Sequence, residues 1–273
     1  MMYEFKMYSP CCKWYLEIQT NCQKVEELIV NLFGGFIVSQ KAEKDNLELL
    51  NVTVLKCDSG YVMTGKGKTY KIKDLRGVGF YLYAVIDKLV EGNMDEKYCV
   101  LHGGVIARDK TAYCVIAPTM TGKSTLIAYL ALNGYDYLAD DYIFVDRVQR
   151  TITPIPLPVS LRDTSILGDS LKNQFVVSGY NELRGENCTL VSLAHDSKVR
   201  YLFTRILIIQ RTDYNDYTIM NKGDLYKSLL FNMKNGLDLE RERLTVNALV
   251  DHINGYKLSY KNLRYAKEYL DLT

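Results

Sequence analysis

The segment Ala117-Pro118-Thr119-Met120-Thr121-Gly122-Lys123-Ser124, followed by Thr125, nearly reproduces the phosphate-loop spacing G-x-x-x-x-G-K-[ST], with Ala117 at the first glycine position. A glycine at 122 lets backbone N–H groups approach phosphate oxygens, and a helix starting there adds a favourable dipole. Lys123 is placed to neutralise β- and γ-phosphates, and the Ser124 hydroxyl to ligate Mg²⁺. An apolar run precedes the segment and an amphipathic helical pattern follows it, which is the context this motif requires. The chemistry these residues point to is the binding of ATP together with Mg²⁺.

Asp140-Asp141 follow Lys123 by seventeen residues, after a short strand-like run. Adjacent carboxylates repel, and a cation relieves the repulsion. Alone, such a pair is most often a solvated turn; beside a phosphate loop it is a place for Mg²⁺ and a general base. His102, with Gly103-Gly104 after it, lies fifteen residues before Ala117, inside what reads as a strand. If the two apolar runs pair as a hairpin, His102 reaches the same end of the sheet as the aspartates, where it orients or tunes a carboxylate. His195 and His252 have no comparable neighbours and read as structural.

These residues need a scaffold, and the patterning supplies one. Two strands are expected over Cys99–Ala107 and Ala112–Ala117, joined by Arg108-Asp109-Lys110, with a helix over Lys123–Leu132 presenting Leu126, Ile127 and Leu130. Short strands are expected around the aspartates, at Tyr137–Ala139 and Tyr142–Val145, and an extended segment over Thr151–Pro158. Arg205–Gln210 reads as a central strand. A helix (Arg241–Ile253), a strand (Tyr256–Ser259) and a helix (Asn262–Leu270) close the chain. Before all this, residues 1–95 read as an accessory α+β unit. It holds a helix over Lys24–Phe33, strands at Leu49–Leu55, Tyr61–Thr64 and Thr69–Lys73, and a helix over Phe80–Val90.

The 273 residues balance 34 Lys+Arg against 32 Asp+Glu, a formal charge of +2. That excludes a nucleic-acid coat, which relies on surplus cations. No apolar run approaches the length that spans a bilayer. Seven cysteines, without metal-ligand spacing, point away from a disulfide framework or a zinc site and towards a reduced, cytoplasmic protein. Cys99 and Cys114, in apolar runs, read as small hydrophobes.

Leu101-His102-Gly103, the loop at 117–124 and Leu138-Ala139-Asp140-Asp141 together resemble the core of the HPr kinase/phosphorylase superfamily, in particular its HPr-kinase-like branch of peptide and protein serine kinases. Pro156–Leu161 resembles that branch's Pro-rich segment, and Tyr256–Tyr260 with its closing helix resembles its C-terminus. The resemblance covers roughly residues 98–273. It implies an α/β (α+β) fold: a P-loop kinase core like that of phosphoenolpyruvate carboxykinase, with a mixed sheet, over residues 96–273, beside the small α+β domain of residues 1–95. It further implies His102 and Asp140 as the catalytic pair, with Asp140 the general base toward a substrate hydroxyl and Lys123 assisting. Asp141 would sit by Mg²⁺ with Ser124. Glu182-Leu183-Arg184-Gly185 matches the start of a family signature that Glu186-Asn187-Cys188 does not continue; by that match Glu182 is a second metal ligand.

The expectation is an ATP- and Mg²⁺-dependent kinase transferring the γ-phosphoryl group to a Ser or Thr hydroxyl of a peptide or protein, such as a ribosomal precursor peptide. Neither nucleic acid nor membrane is an expected partner, and a homo-oligomer like that of the larger HPr kinases stays open. Two alternatives remain: a small-molecule acceptor such as free serine, and a non-catalytic nucleotide-sensing or scaffold protein.

Overall fold

Residues 1–38, 47–195, 199–234 and 238–272 are described by a computed structural model. The chain divides into two compact units, Met1–Asp95 with Leu157–Ser192, and Glu96–Pro156 with Leu193–Thr273.

The first unit opens with β1 (Tyr3–Tyr8), β2 (Trp14–Thr20), α1 (Gln23–Phe33), β3 (Glu48–Cys57), β4 (Gly60–Gly65), β5 (Lys68–Ile72) and α2 (Leu75–Gly92). The five strands form one sheet in chain order. Only β2 and β3 are parallel, and α1 lies between them in the chain because a parallel pair needs a long crossover. Val25, Leu28, Ile29 and Leu32 are buried on α1, the face their spacing marks out. Helix α2 begins five residues before Phe80, where the apolar spacing starts, because Asp74 caps it by accepting a hydrogen bond from the Gly77 N–H at 3.0 Å.

Glu96–Pro156 carries β6 (Tyr98–Leu101), β7 (Gly104–Arg108), β8 (Thr111–Ile116), α3 (Lys123–Leu132), β9 (Asp136–Ala139), β10 (Ile143–Asp146) and β11 (Thr151–Thr153). The single strand expected over Cys99–Ala107 is two strands in two different sheets, broken at His102-Gly103. The chain is tightly packed at the break: a Cβ on Gly103 would stand 2.6 Å from the Ile143 Cδ1 and 2.7 Å from the Val115 carbonyl oxygen. The expected hairpin does form, from β7 and β8, with Gly104 opposite Val115.

Back in the first unit, β12 (Val159–Leu161), β13 (Val176–Asn181) and β14 (Glu186–Val191) make an antiparallel sheet in the order β12-β14-β13. Glu182–Gly185 is the β13–β14 turn. The N–H groups of Arg184 and Gly185 donate to the Asn181 carbonyl, and Gly185 takes φ +67°. Turn formation accounts for the glycine in that segment.

The second unit closes with β15 (Tyr201–Leu202), β16 (Arg205–Arg211), β17 (Asp216–Ile219), α4 (Lys222–Phe231), α5 (Leu239–Val250), β18 (Asn254–Tyr260) and α6 (Leu263–Leu272). Its main sheet is mixed, in the order β17-β18-β16-β8-β7-β9. The strands β8, β16 and β18 run parallel, and the other pairings are antiparallel. A second sheet has the order β15-β11-β10-β6. Strand β16 is apolar along Ile206–Ile209, as expected of a strand inside a parallel set. Cys99 and Cys114 lie in the core with Val105, Ile143, Ile206 and Val246. The described residues thus make a mixed α/β structure of several sheets and six α-helices. No helix among them is long and apolar enough to cross a membrane.

Candidate functional site

The loop at 117–122 leaves the C-terminal end of β8 and opens directly into α3. Gly122 is the residue before the helix and takes φ +92°, a conformation glycine adopts without strain, and no side chain caps the helix. The first-turn N–H groups are therefore left to a ligand or to solvent. Ala117 is buried and has no positive φ, so its methyl group is tolerated where the motif has glycine. Pro118, Thr119 and Met120 are exposed. Thr121 folds the loop back by donating its hydroxyl to the Pro118 carbonyl at 2.6 Å.

Lys123 is the first residue of α3, yet it is buried, at 8% exposure. Its ammonium donates to Asp140 Oδ1 and, at 3.0 Å, to Asp141 Oδ1. Strand β9 ends at Ala139, which pairs with Val105 of β7, so the aspartates emerge at the edge of the main sheet beside the loop. Asp140 is 3% exposed, and Ser124 acts with Lys123 to lower its pKa. Asp141 is more open, and its backbone takes φ +69°, an uncommon conformation in which Asp is enriched.

Two carboxylates sharing one buried ammonium titrate as a unit. Burial raises Asp140 above the ordinary carboxylate range despite the Lys123 charge. Burial also acts to raise Asp141, but the Lys123 charge and hydrogen bond, with His102 and Lys234, bring it below that range. Burial opposes the charge on Lys123, and the two aspartates outweigh it, so the ammonium keeps its proton more firmly than usual. The arrangement holds one ionised carboxylate and one poised to take a proton.

His102 sits at the break between β6 and β7. Its Nδ1 is 3.3 Å from the Asp141 carbonyl oxygen, so the structure joins it to the backbone of Asp141 and not to the Asp140 carboxylate with which the resemblance pairs it. Burial and the Lys123 charge depress its pKa. A neutral ring then donates from Nδ1 to that carbonyl and leaves Nε2 as an acceptor.

His102, the loop 117–125, Asp140 and Asp141 are thus gathered in the second unit. Glu182 lies in the β13–β14 turn of the first unit. His195 and His252 lie outside the cluster. Three residues of this region escape the sequence reading. Lys234 lies 3.9 Å from the Tyr142 ring centroid and acts electrostatically on His102 and Asp141; the residue carries no motif signal. Gly104 makes room for Asp140, and its place in a Gly-Gly pair after His102 is the signal that could have found it. Tyr260, at the end of β18, faces the loop.

Among the described residues no group of three or more His, Cys, Asp or Glu side chains is placed to hold a metal. The donor set beside the loop is hard: two aspartates and the Ser124 hydroxyl, the ligands a Mg²⁺ ion takes together with waters and phosphate oxygens.

No family model matches the chain, and no curated protein matches it. Among solved structures, an HPr(Ser) kinase/phosphatase from Coxiella burnetii is similar over 63% of this chain and 91% of its own, at 13% sequence identity and a TM-score of 0.30.

Proposed function

We propose that the chain is an ATP- and Mg²⁺-dependent phosphotransferase, a P-loop kinase acting on a Ser or Thr hydroxyl of a peptide or protein. One observation carries this reading. A lysine that opens the helix after a phosphate loop is held by two adjacent carboxylates, and burial has raised one of them towards a base. ATP supplies the phosphoryl group; Asp141 and Ser124 would hold Mg²⁺, which would screen phosphate charge. Lys123 is shared between the phosphates and the carboxylates. Asp140 accepts the proton of the acceptor hydroxyl as that oxygen forms its bond to the γ-phosphorus, and the bond to the ADP oxygen breaks. Positioning and charge neutralisation supply most of the catalysis in this class. A well-placed base contributes roughly 10²–10⁴-fold. His102 fixes the turn that carries the aspartates through the Asp141 carbonyl. Seven cysteines without metal-ligand spacing suit a reducing cytoplasm.

The test is incubation of the full chain with Mg-ATP and, in parallel, a degenerate Ser/Thr peptide mixture and free serine, followed by mass spectrometry. Phosphate on a peptide Ser or Thr supports the reading. Phosphate on free serine alone moves the acceptor to a small molecule. Tight ATP binding with no acceptor turned over makes the protein a nucleotide sensor.

A further inference from the structure

Strand β18 is the parallel neighbour of β16, and its last residue, Tyr260, lies opposite Arg211 in register. Both residues stand at the C-terminal ends of the parallel strands, the end from which the phosphate loop leaves β8. Tyr260 is only 1% exposed. Among the described residues its hydroxyl has no hydrogen-bond partner. A Cβ built on Gly122 would meet the Tyr260 hydroxyl at 3.7 Å, its nearest neighbour beyond the adjoining residues of the chain. The glycine at the mouth of α3 thus leaves a gap between the loop backbone and a phenol with nothing to donate to.

Buried hydroxyls are nearly always paired, and an unpaired one costs about 1–3 kcal/mol. No protein group among the described residues satisfies this one, and a group seated against the Gly122 backbone is placed to do so. The surroundings specify that group. The uncapped N-terminus of α3 presents N–H donors, Gly122 lets a ligand approach closely, and the Arg211 charge acts on the phenol. All of these favour an oxyanion. Burial also pushes the Tyr260 pKa up to about 12, which keeps the hydroxyl a donor at neutral pH.

We propose that Tyr260 is a ligand-binding residue of the phosphate site, donating its hydroxyl to an oxygen of the phosphate seated in the loop at Gly122. This rests on the phosphate-binding reading of the loop and adds to it a donor from the far end of the chain. A hydrogen bond to a charged oxygen is worth more than one between neutral groups.

The test compares the full-length wild type with Tyr260→Phe and Lys123→Ala by titration calorimetry, using inorganic pyrophosphate and Mg-ATP as probes, and by thermal melts without ligand. Tyr260→Phe is expected to bind both probes about tenfold more weakly, while the ligand-free variant melts at or above the wild-type temperature because no native partner is lost. Unchanged affinity in Tyr260→Phe, with wild type binding and Lys123→Ala weakened, overturns the role of Tyr260 alone. A lower melting temperature with unchanged affinity overturns it too, since the hydroxyl then has a structural partner. A wild type that binds neither probe overturns the phosphate reading and this proposal together.

Discussion

A Cβ on Gly104 would stand 3.1 Å from Oδ1 of Asp140 and 2.9 Å from Cγ1 of Ile127, so the backbone of β7, the carboxylate and α3 are in close packing at one point. The oxygen crowded there is the one that accepts from Lys123. Gly104 therefore helps fix where the Asp140 carboxylate sits.

Gly104→Ala is expected to displace Asp140 by a fraction of an ångström. Overpacking of this kind costs about 1–3 kcal/mol, while misplacement of a reacting group by about 1 Å lowers turnover on the order of 10²-fold. Urea unfolding and phosphoryl transfer measured on the same preparation check both figures. Activity should fall further than the loss of folded protein explains.

Lys123 neutralises two buried or half-buried carboxylates. Its replacement in Lys123→Met leaves them facing each other, at a cost of about 3–5 kcal/mol for breaking a buried pair. The penalty should grow as pH rises, because Asp140 can then escape it only by holding a proton. Lys123→Met/Asp140→Asn should regain part of the loss. Equal urea midpoints for the single and double variants would show that the carboxylates do not depend on the ammonium.

The raised pKa of Asp140 makes stability and activity move in opposite directions with pH. Between the ordinary value of 3.8 and the higher folded value, the native state binds more protons than the unfolded chain, so stability falls as pH rises through that window. Activity rises through the same window as the base is freed. The acid limb of the pH–rate profile should therefore lie above the range of an ordinary aspartate. His102→Gln should keep that limb, because His102 bonds the Asp141 backbone.

Much of this site was legible in the sequence because its parts are local. The loop, its strand and its helix occupy one continuous stretch, and the face of Leu126, Ile127 and Leu130 on α3 is buried as the spacing indicates. The hairpin of β7 and β8 follows from two apolar runs around a turn. What was not legible depends on distant contacts. Strands β1 and β2 are an exception, since Tyr3-Glu4-Phe5-Lys6-Met7 and Leu16-Glu17-Ile18-Gln19 alternate as strands do; β13 and β14 gain their identity by pairing. The break at His102-Gly103 lies against Ile143, forty residues further on, and Val115 of the hairpin. Tyr260 meets Gly122 across 138 residues, and only the parallel order of β8, β16 and β18 brings them together.

The central claim is that Asp140 is the base of a phosphotransferase, and one paired measurement tests it. Wild type and Asp140→Asn are given ATP labelled on the γ-phosphate, with Mg²⁺ and Ser/Thr peptides, and nucleotide affinity and label transfer are read on the same samples. The expected result is ATP bound by both proteins, with label on a peptide hydroxyl for wild type and at least 10²-fold slower transfer for Asp140→Asn. Transfer that survives undiminished in Asp140→Asn would contradict the account.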